Sequence, residues 1–333
     1  MKIGIPRALL YPIFYPMWET FFKELGHSIV NSTRTNKRIL DSGAKACVED
    51  ACLPVKIMHG HVIDLIDRCD AVFIPRLISI SQEEYICPKF IGIPEMIKNS
   101  VKPCPSLIVL DYNAKKSTNM AYKGYYKLAS DLGSSKKDIK QALERALGQQ
   151  RAYEIALLGG SNPLLALEGL ETFSIRKEIK GTIGLIGHPY LIYDRYISMD
   201  VYKKLISHDY RVIVPENIRP EAIEKACSIY PKKLFWSYGK HLLGSGLYML
   251  EQGLVDGLVL VTSFACGIDS FVLELLQRKN NRDYKKPLTI ITIDEHSGHA
   301  GFDTRLEAFI DMMEWRKENG NNISSHGKGL YIS

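Results

Sequence analysis

The chain of 333 residues has no apolar run approaching about 20 residues, so nothing in it reads as a membrane-spanning helix. It has no Cys-x2-Cys pair and no His-x3-His spacing, which leaves a structural zinc site with weak support. No G-x-x-x-x-G-K-S/T loop is present to cradle a nucleotide phosphate. The N-terminus, MKIGIPRALL, enters a strand pattern at once. It lacks the basic segment and long apolar core of a secretory signal, so a cytoplasmic location is expected. Charge of one sign is not concentrated either. The formal net charge of +6 is mild. Its densest basic cluster, residues 136–151, lies on a helical pattern rich in Gln and Glu. That reads as a solvated helix face, and no nucleic-acid partner is expected.

What is present is an ordinary globular composition, 46% apolar and 24% charged, over a length that suits two domains. The seven cysteines of a cytoplasmic chain are core residues, metal ligands or reactive thiols, and not disulfides.

Strand and helix patterns alternate. A strand over Lys2–Ile5 leads into a helix carrying Trp18, Phe21, Phe22 and Leu25 that ends at Gly26. Strands follow at residues 28–30, 70–75 and 106–113. Between them, helices are expected to begin at Asn36, at Pro54 and near Ile93. Residues 115–171 carry helical patterns and few strand signals. Alternation resumes with TIGLIGHPYLIYD at Thr182. This predicts an α/β protein with two units and parallel sheets. The units are a lobe over residues 1–114, a helical connector over 115–180 and a second lobe over 181–320. The tail, 321–333, is expected to fray. The halves also match each other at an offset of roughly 180 residues. Asp70 falls opposite Asp256, and Asp111 opposite Asp294.

The stretch DGLVLVTSFACGIDSFVLELL, residues 256–276, reads as a buried strand, a tight turn and a helix N-terminus, the place where ligands gather in open α/β sheets. Cys266 sits at that point, with Gly267 allowing close backbone approach. Cys52 in EDACLPVK and Cys87 in EYICPKF are each followed within two residues by a proline and then a lysine. Proline suits the first helical turn, which puts each of these cysteines beside free backbone N–H groups and the positive end of a helix dipole. Three cysteines distant in sequence are thus predicted to face one cleft, able to hold a negatively charged sulfur-rich cluster. Lys56 and Lys89 can offset some of its charge. The competing reading is that all three are small core residues. Cys69 and Cys227 are assigned to packing and Cys104 to a loop. Cys47 is either a fourth ligand or a packing residue at the end of a helix. His59 and His61, at i and i+2 of a helix, point apart and make a poor metal pair.

The segments EDACLPVK, EYICPKF, IGHPYLIYD, WSYGKHLLG, TSFACGIDSF and IDEHSGHAGFDTRLEAF resemble the acyl-CoA dehydratase activase-related proteins. That family is also found as the C-terminal portion of large activase fusions. It is related to the 2-hydroxyacyl-CoA dehydratase and benzoyl-CoA reductase group of iron–sulfur enzymes. The resemblance implies two Rossmann-like (flavodoxin-like) lobes with a 4Fe-4S cluster between them, bound by Cys52, Cys87 and Cys266. A double-cubane variant is a further branch of the group, one that reduces small molecules. The resemblance also implies partners: an ATP-dependent activase or a related dehydratase subunit. It implies an acyl-CoA or small-molecule substrate and admits a homo-oligomer. With no sugar-kinase-like ATPase pattern, the chain is not expected to be the ATP-hydrolysing activator itself.

Near the expected cleft, Glu84, Tyr85, His188, Ser263, Asp294, Glu295 and His296 are candidates for moving protons. Equally, residues 294–296 can simply cap the following helix, and His188 can be a satisfied turn residue. Three functions stay open on this sequence. One is a low-potential iron–sulfur protein of anaerobic reductive metabolism. The second is a non-catalytic binding or assembly partner of an activase or dehydratase. The third is a zinc protein on the same cysteines.

Overall fold

Short β-branched runs become two sheets of four parallel strands in the computed structural model, which describes residues 1–163 and 178–319. In the first lobe, β1 (Lys2–Ile5), α1 (Tyr11–Glu24), β2 (Ser28–Asn31), α2 (Lys37–Ala46), α3 (Leu53–Leu65), β3 (Ala71–Ser79), α4 (Pro88–Ser100) and β4 (Leu107–Asn113) follow in order. The strands lie side by side as β2-β1-β3-β4. Helices α5 (Thr118–Asp131) and α6 (Lys136–Leu158) come next. Both start at serine N-caps, where Ser117 and Ser135 accept from the backbone N–H three residues on.

The second lobe repeats the plan with β5 (Gly181–Gly187), α7 (Pro189–Ile192), α8 (Val201–Ser207), β6 (Tyr210–Ile213), α9 (Pro220–Cys227), α10 (Ser237–Glu251), β7 (Gly257–Ser263), α11 (Gly267–Lys279), β8 (Leu288–Ile293) and α12 (His299–Asn319). Its strand order is β6-β5-β7-β8, the same permutation. No helix among the described residues is long and apolar enough to cross a membrane.

The internal repeat extends to single hydrogen bonds. The Asp70 carboxylate accepts from the Lys2 backbone N–H at 2.6 Å, and the Asp256 carboxylate accepts from that of Thr182 at 2.8 Å. The backbone N–H of each aspartate returns a bond to the carbonyl of the same residue, at 2.8 and 2.7 Å. One expected equivalence is off by two residues. Val72 pairs with Leu107 and Leu258 with Leu288, so Asn113, not Asp111, matches Asp294. Asp111 lies within β4 and pairs with Arg76. Helix α4 also begins at Pro88, five residues before the expected Ile93, because Pro88 supplies the fixed φ of a first turn. The short helices α7 and α9 carry too few turns for a period to show in the sequence. The expected continuation of the helical connector through NPLLALEGLETF, and the tail from residue 320, lie outside the described residues.

Helices α5 and α6 pack with the first sheet. Tyr125, Ile139 and Leu143 join Phe21, Phe22 and Phe73 in one core. A separate core in the second lobe holds Leu243, Leu258 and Leu276. A third core crosses between the lobes, bringing Leu53, Val55 and Phe90 to Leu191, Ile192 and Tyr193. Polar contacts fasten the same seam. Tyr85 donates to the Phe235 carbonyl at 2.7 Å and accepts from the Ser237 N–H at 2.8 Å, a one-residue parallel bridge. Glu84 pairs with Lys240, and Lys56 with Glu295.

Helix α3, whose N-terminus faces the second lobe, is held by α2 at backbone contact. A Cβ on Gly43 would come within 1.9 Å of the Lys56 carbonyl oxygen, and one on Gly60 within 2.0 Å of the Ile39 carbonyl oxygen. Neither obstacle is a flexible side chain. Gly43→Ala is therefore expected to cost on the order of 3 kcal/mol by forcing the helices apart. Urea unfolding checks this through a lower midpoint at unchanged slope.

Candidate functional site

Three helices point their N-termini at one place between the lobes. Cys52 is the N-cap of α3, Cys87 of α4 and Cys266 of α11, and none makes a side-chain capping bond. Their extended ψ angles of 152°, 133° and 98° turn the chain into each helix. Their carbonyls accept the first helical bonds, from Val55, Phe90 and Ser270. Ala265, just before Cys266, has a left-handed φ of 62°, a strained turn that brings the cysteine back from the end of β7. All three cysteines line one cavity of about 80 Å³, together with Tyr85, Lys89, His188, Tyr190, Tyr238 and Gly267. A Cβ on Gly267 would meet no atom within 4 Å, so this glycine borders open space.

Burial drives the electrostatics here. It pushes the Cys87 thiol up, and the neighbouring Cys52 adds to that, while the Lys89 backbone N–H and ammonium pull the other way. The Cys266 thiol is raised strongly, first by burial and then by the charge of Asp269. The half-buried Tyr190 hydroxyl is raised by burial and then by Asp269, Cys266, Cys52 and Cys87 together. Three bare thiolates would repel one another in this space. A bound cation removes that penalty by taking up the negative charge, and sulfur ligands suit iron–sulfur clusters or zinc. The donor set, the helix N-termini and the open space at Gly267 fit such a group.

Sequence reasoning passed over Asp269, the key neighbour. This aspartate is 1% exposed and lies 2.7 Å from His188 Nε2. Its other oxygen accepts from the Thr262 hydroxyl at 3.0 Å. The His188 ring stacks on Tyr190, with centroids 4.7 Å apart and planes at 14°, and its Nδ1 is buried without a hydrogen-bond partner. One ligand atom each from His188, Cys266 and Asp269 fit within 4.8 Å of one another. The signal available in the sequence was an acid in the first turn of α11. Behind His188 lies a second pair. Glu216 accepts from the Tyr193 hydroxyl, and burial pushes its carboxyl up to about 7 despite that bond. His241 Nε2 sits 3.9 Å from it, and burial and the charges of His188 and Lys240 push this imidazole down to about 4.

Of the remaining sequence candidates, Tyr85 lines the cavity and the others lie apart from its lining. Ser263 accepts from the Leu53 N–H at 3.2 Å and donates to the Phe264 carbonyl, which ties the start of α3 to the end of β7. Glu84 is 2% exposed and engaged by Lys240. The Tyr85 ring lines the cavity while its hydroxyl bonds Lys115. Lys56 is buried, and its ammonium, with a backbone donor, overcomes the burial of Glu295 and holds that carboxyl below its usual range. Asp294 accepts from the His296 N–H and the Ser297 hydroxyl in a local turn, with His296 exposed. Cys47 ends α2, and its thiol is raised by burial. Cys69 donates to the Leu65 carbonyl, Cys104 to that of Pro105 and Cys227 to that of Lys240. His59 and His61 bond separate partners, the Val55 carbonyl and the hydroxyls of Ser32 and Thr35.

Residues 2–218 match the family model described as "CoA enzyme activase uncharacterised domain (DUF2229)". The match includes Cys52, Cys87 and His188, and stops short of Cys266. No curated protein matches the chain. Among solved structures, a LacI family transcriptional regulator from Arthrobacter sp. FB24 in complex with lactose is 12% identical, at a TM-score of 0.19. That match covers 95% of this chain and 90% of that one. The lactose repressor bound to the anti-inducer ONPF is 11% identical, at a TM-score of 0.20 and coverages of 95% and 93%.

The raised Glu216 makes a pH test of the neighbourhood. The folded state keeps this proton up to about pH 7, whereas an unfolded glutamate loses it above about 4.5. The folded state therefore binds more protons in that window, and stability falls as pH rises through it. Relative to Glu216→Gln, the wild-type protein should lose on the order of 3 kcal/mol between those pH values, read by urea unfolding at each.

Proposed function

The chain belongs to the family of the CoA enzyme activase uncharacterised domain, and from that premise we propose that it is an iron–sulfur protein. Cys52, Cys87 and Cys266 hold a 4Fe-4S cluster in the interlobe cavity, for low-potential electron transfer or reductive chemistry. The observation that carries this reading is the convergence of three cysteine N-caps, from both lobes, on one enclosed cavity. A cubane ligated by three thiolates supplies an electron store and one iron open to a further ligand. Membership of the family supports the wider relation to 2-hydroxyacyl-CoA dehydratases and benzoyl-CoA reductases. It also supports an ATP-dependent activase or related dehydratase subunit as partner.

The chain's own groups have defined tasks in this reading. The positive ends of the α3, α4 and α11 dipoles favour negative charge on sulfur, and the Lys89 backbone N–H acts on Cys87 directly. Lys89, on the cavity wall, offsets more of it. The Asp269 carboxyl group lies 2.7 Å from His188 Nε2, while the ring's Nδ1 is buried without a hydrogen-bond partner. Tyr190 and Tyr238 form the aromatic part of the cavity wall beside His188.

A second reading rests on the proximity of His188, Cys266 and Asp269, whose imidazole, thiolate and carboxylate suit a single ion such as zinc. The two readings separate by composition. Protein purified without oxygen should contain about four irons and matching acid-labile sulfide, with a reducible cubane signal in EPR. Cys52→Ala, Cys87→Ala and Cys266→Ala should each lose both elements. Full iron in all three variants would discard the ligand assignment. One divalent ion per chain, kept in Cys52→Ala and lost in Asp269→Ala, would establish the single-ion site instead.

A further inference from the structure

Another cavity, of about 330 Å³, opens between the lobes, and Tyr238 lines both it and the cysteine cavity. It is several times larger than the cysteine cavity and within the size range of small-molecule sites, about 300–1,000 Å³. The first lobe supplies Ile13 of α1, Ile80 just after β3, and Glu154 and Leu157 of α6. The second lobe supplies Glu216, in the turn after β6, and the starts of α9 and α10. Ligands of open α/β sheets bind beyond the carboxyl ends of strands in this way.

The charges on this wall do not cancel. Glu84 and Lys240 pair with each other, and Lys240 also holds Glu224. His241, pushed down to about 4, is uncharged at neutral pH. Glu154 and Glu216 remain, and among the described residues neither forms an ion pair with a lysine or arginine. Glu154 accepts from the neutral Gln150 side chain at 3.0 Å. The Glu216 side chain is 6% exposed; one oxygen accepts from the Tyr193 hydroxyl, and the other, Oε1, has no hydrogen-bond partner. A buried carboxylate with an idle oxygen and no cation is costly. Both glutamates also act on the Tyr238 hydroxyl, raising it further after burial has done so, which places both charges within reach of one part of the wall. The rest of the lining is largely apolar and includes the buried Leu157, Ile218 and Ile223.

We propose that this cavity binds a small organic amine, with its ammonium group beside Glu216 and Glu154 and an apolar body against Leu157, Ile218 and Ile223. An ammonium brings a full positive charge and N–H donors, which match an unpartnered carboxylate oxygen in a charge-assisted hydrogen bond. It also favours the ionised form of a carboxyl that burial alone disfavours. A hard metal ion asks for about six or more oxygen ligands, which this largely apolar wall does not supply. The site uses none of the cysteines and stands whatever they hold.

The test is calorimetric titration of the full chain with hexylamine and phenethylamine, each beside the uncharged alcohol of the same skeleton, and with phenylacetate. At least one amine should bind saturably and about tenfold or more tightly than its alcohol. Glu216→Gln should weaken that amine by about tenfold and leave the alcohol unchanged. Leu158 is exposed at the same cavity, so Leu158→Lys leaves the core intact; its added positive charge should weaken the amine by about threefold or more. The proposal is overturned if neither amine binds saturably, if the alcohols or phenylacetate bind as tightly, or if both variants keep the full affinity for the amine. Should Glu216→Gln fail to fold, undiminished affinity in Leu158→Lys is enough to overturn it.

Discussion

Everything near the centre of this molecule answers to one electrostatic constraint, the gathering of three half-buried cysteines around a space that cannot hold three unpaired negative charges. Burial raises the Cys87 and Cys266 thiols, and neighbouring groups raise them further. Opposing this is what a helix start provides, the positive end of the macrodipole, with the Lys89 backbone N–H acting on Cys87. The fold delivers three such starts to one point by placing Cys52, Cys87 and Cys266 as N-caps of α3, α4 and α11. A cation at that point would complete the balance of charge.

That arrangement requires the two lobes to stay in register. The seam is held by an apolar core shared between them and by contacts that sit close to the cysteines in sequence. Tyr85, two residues before Cys87, bridges to the second lobe through its own backbone groups, which bond the Phe235 carbonyl and the Ser237 N–H and hydroxyl. Ser263, three residues before Cys266, accepts from the N–H of Leu53, the residue after Cys52. Lys56 and Glu295 pair across the same seam. Several residues with the chemistry of proton carriers thus hold the lobes together. His188 differs from them. It lies on the cavity wall, fixed by Asp269, with one ring nitrogen unpartnered.

The repeat explains why the site lies between the halves. Each lobe has the strand order 2-1-3-4, counted from its own first strand, and each ties the residue before its third strand to its first strand through an aspartate. One lobe contributes two cysteines and the other contributes one, together with His188 and Asp269. A larger cavity carrying Glu154 and Glu216 shares Tyr238 with the cysteine cavity, so one aromatic side chain borders two chemically distinct spaces.

Much of this was legible from local pattern. Strand and helix order, the two parallel-sheet lobes and the internal repeat follow from apolar periodicity and from turn residues, which act over a few positions. Proline one or two residues after Cys52 and Cys87, and glycine after Cys266, mark helix starts by the φ angles they fix or free. The tertiary structure alone decided what depends on distance across the chain. Asp269 looked like an ordinary first-turn acid until β5 and β7 were paired and brought His188 to it. The unusual ionisation of Glu216 arises from burial against the first lobe and the α7 segment, which no neighbouring residue announces. The two-residue shift that sets Asn113 opposite Asp294 is a matter of strand register, and register is fixed by cross-strand bonds between segments far apart in sequence. Local sequence determined which elements form and where each helix starts. Only packing between the lobes determined which side chains meet, because desolvation and charge pairing depend on neighbours in space.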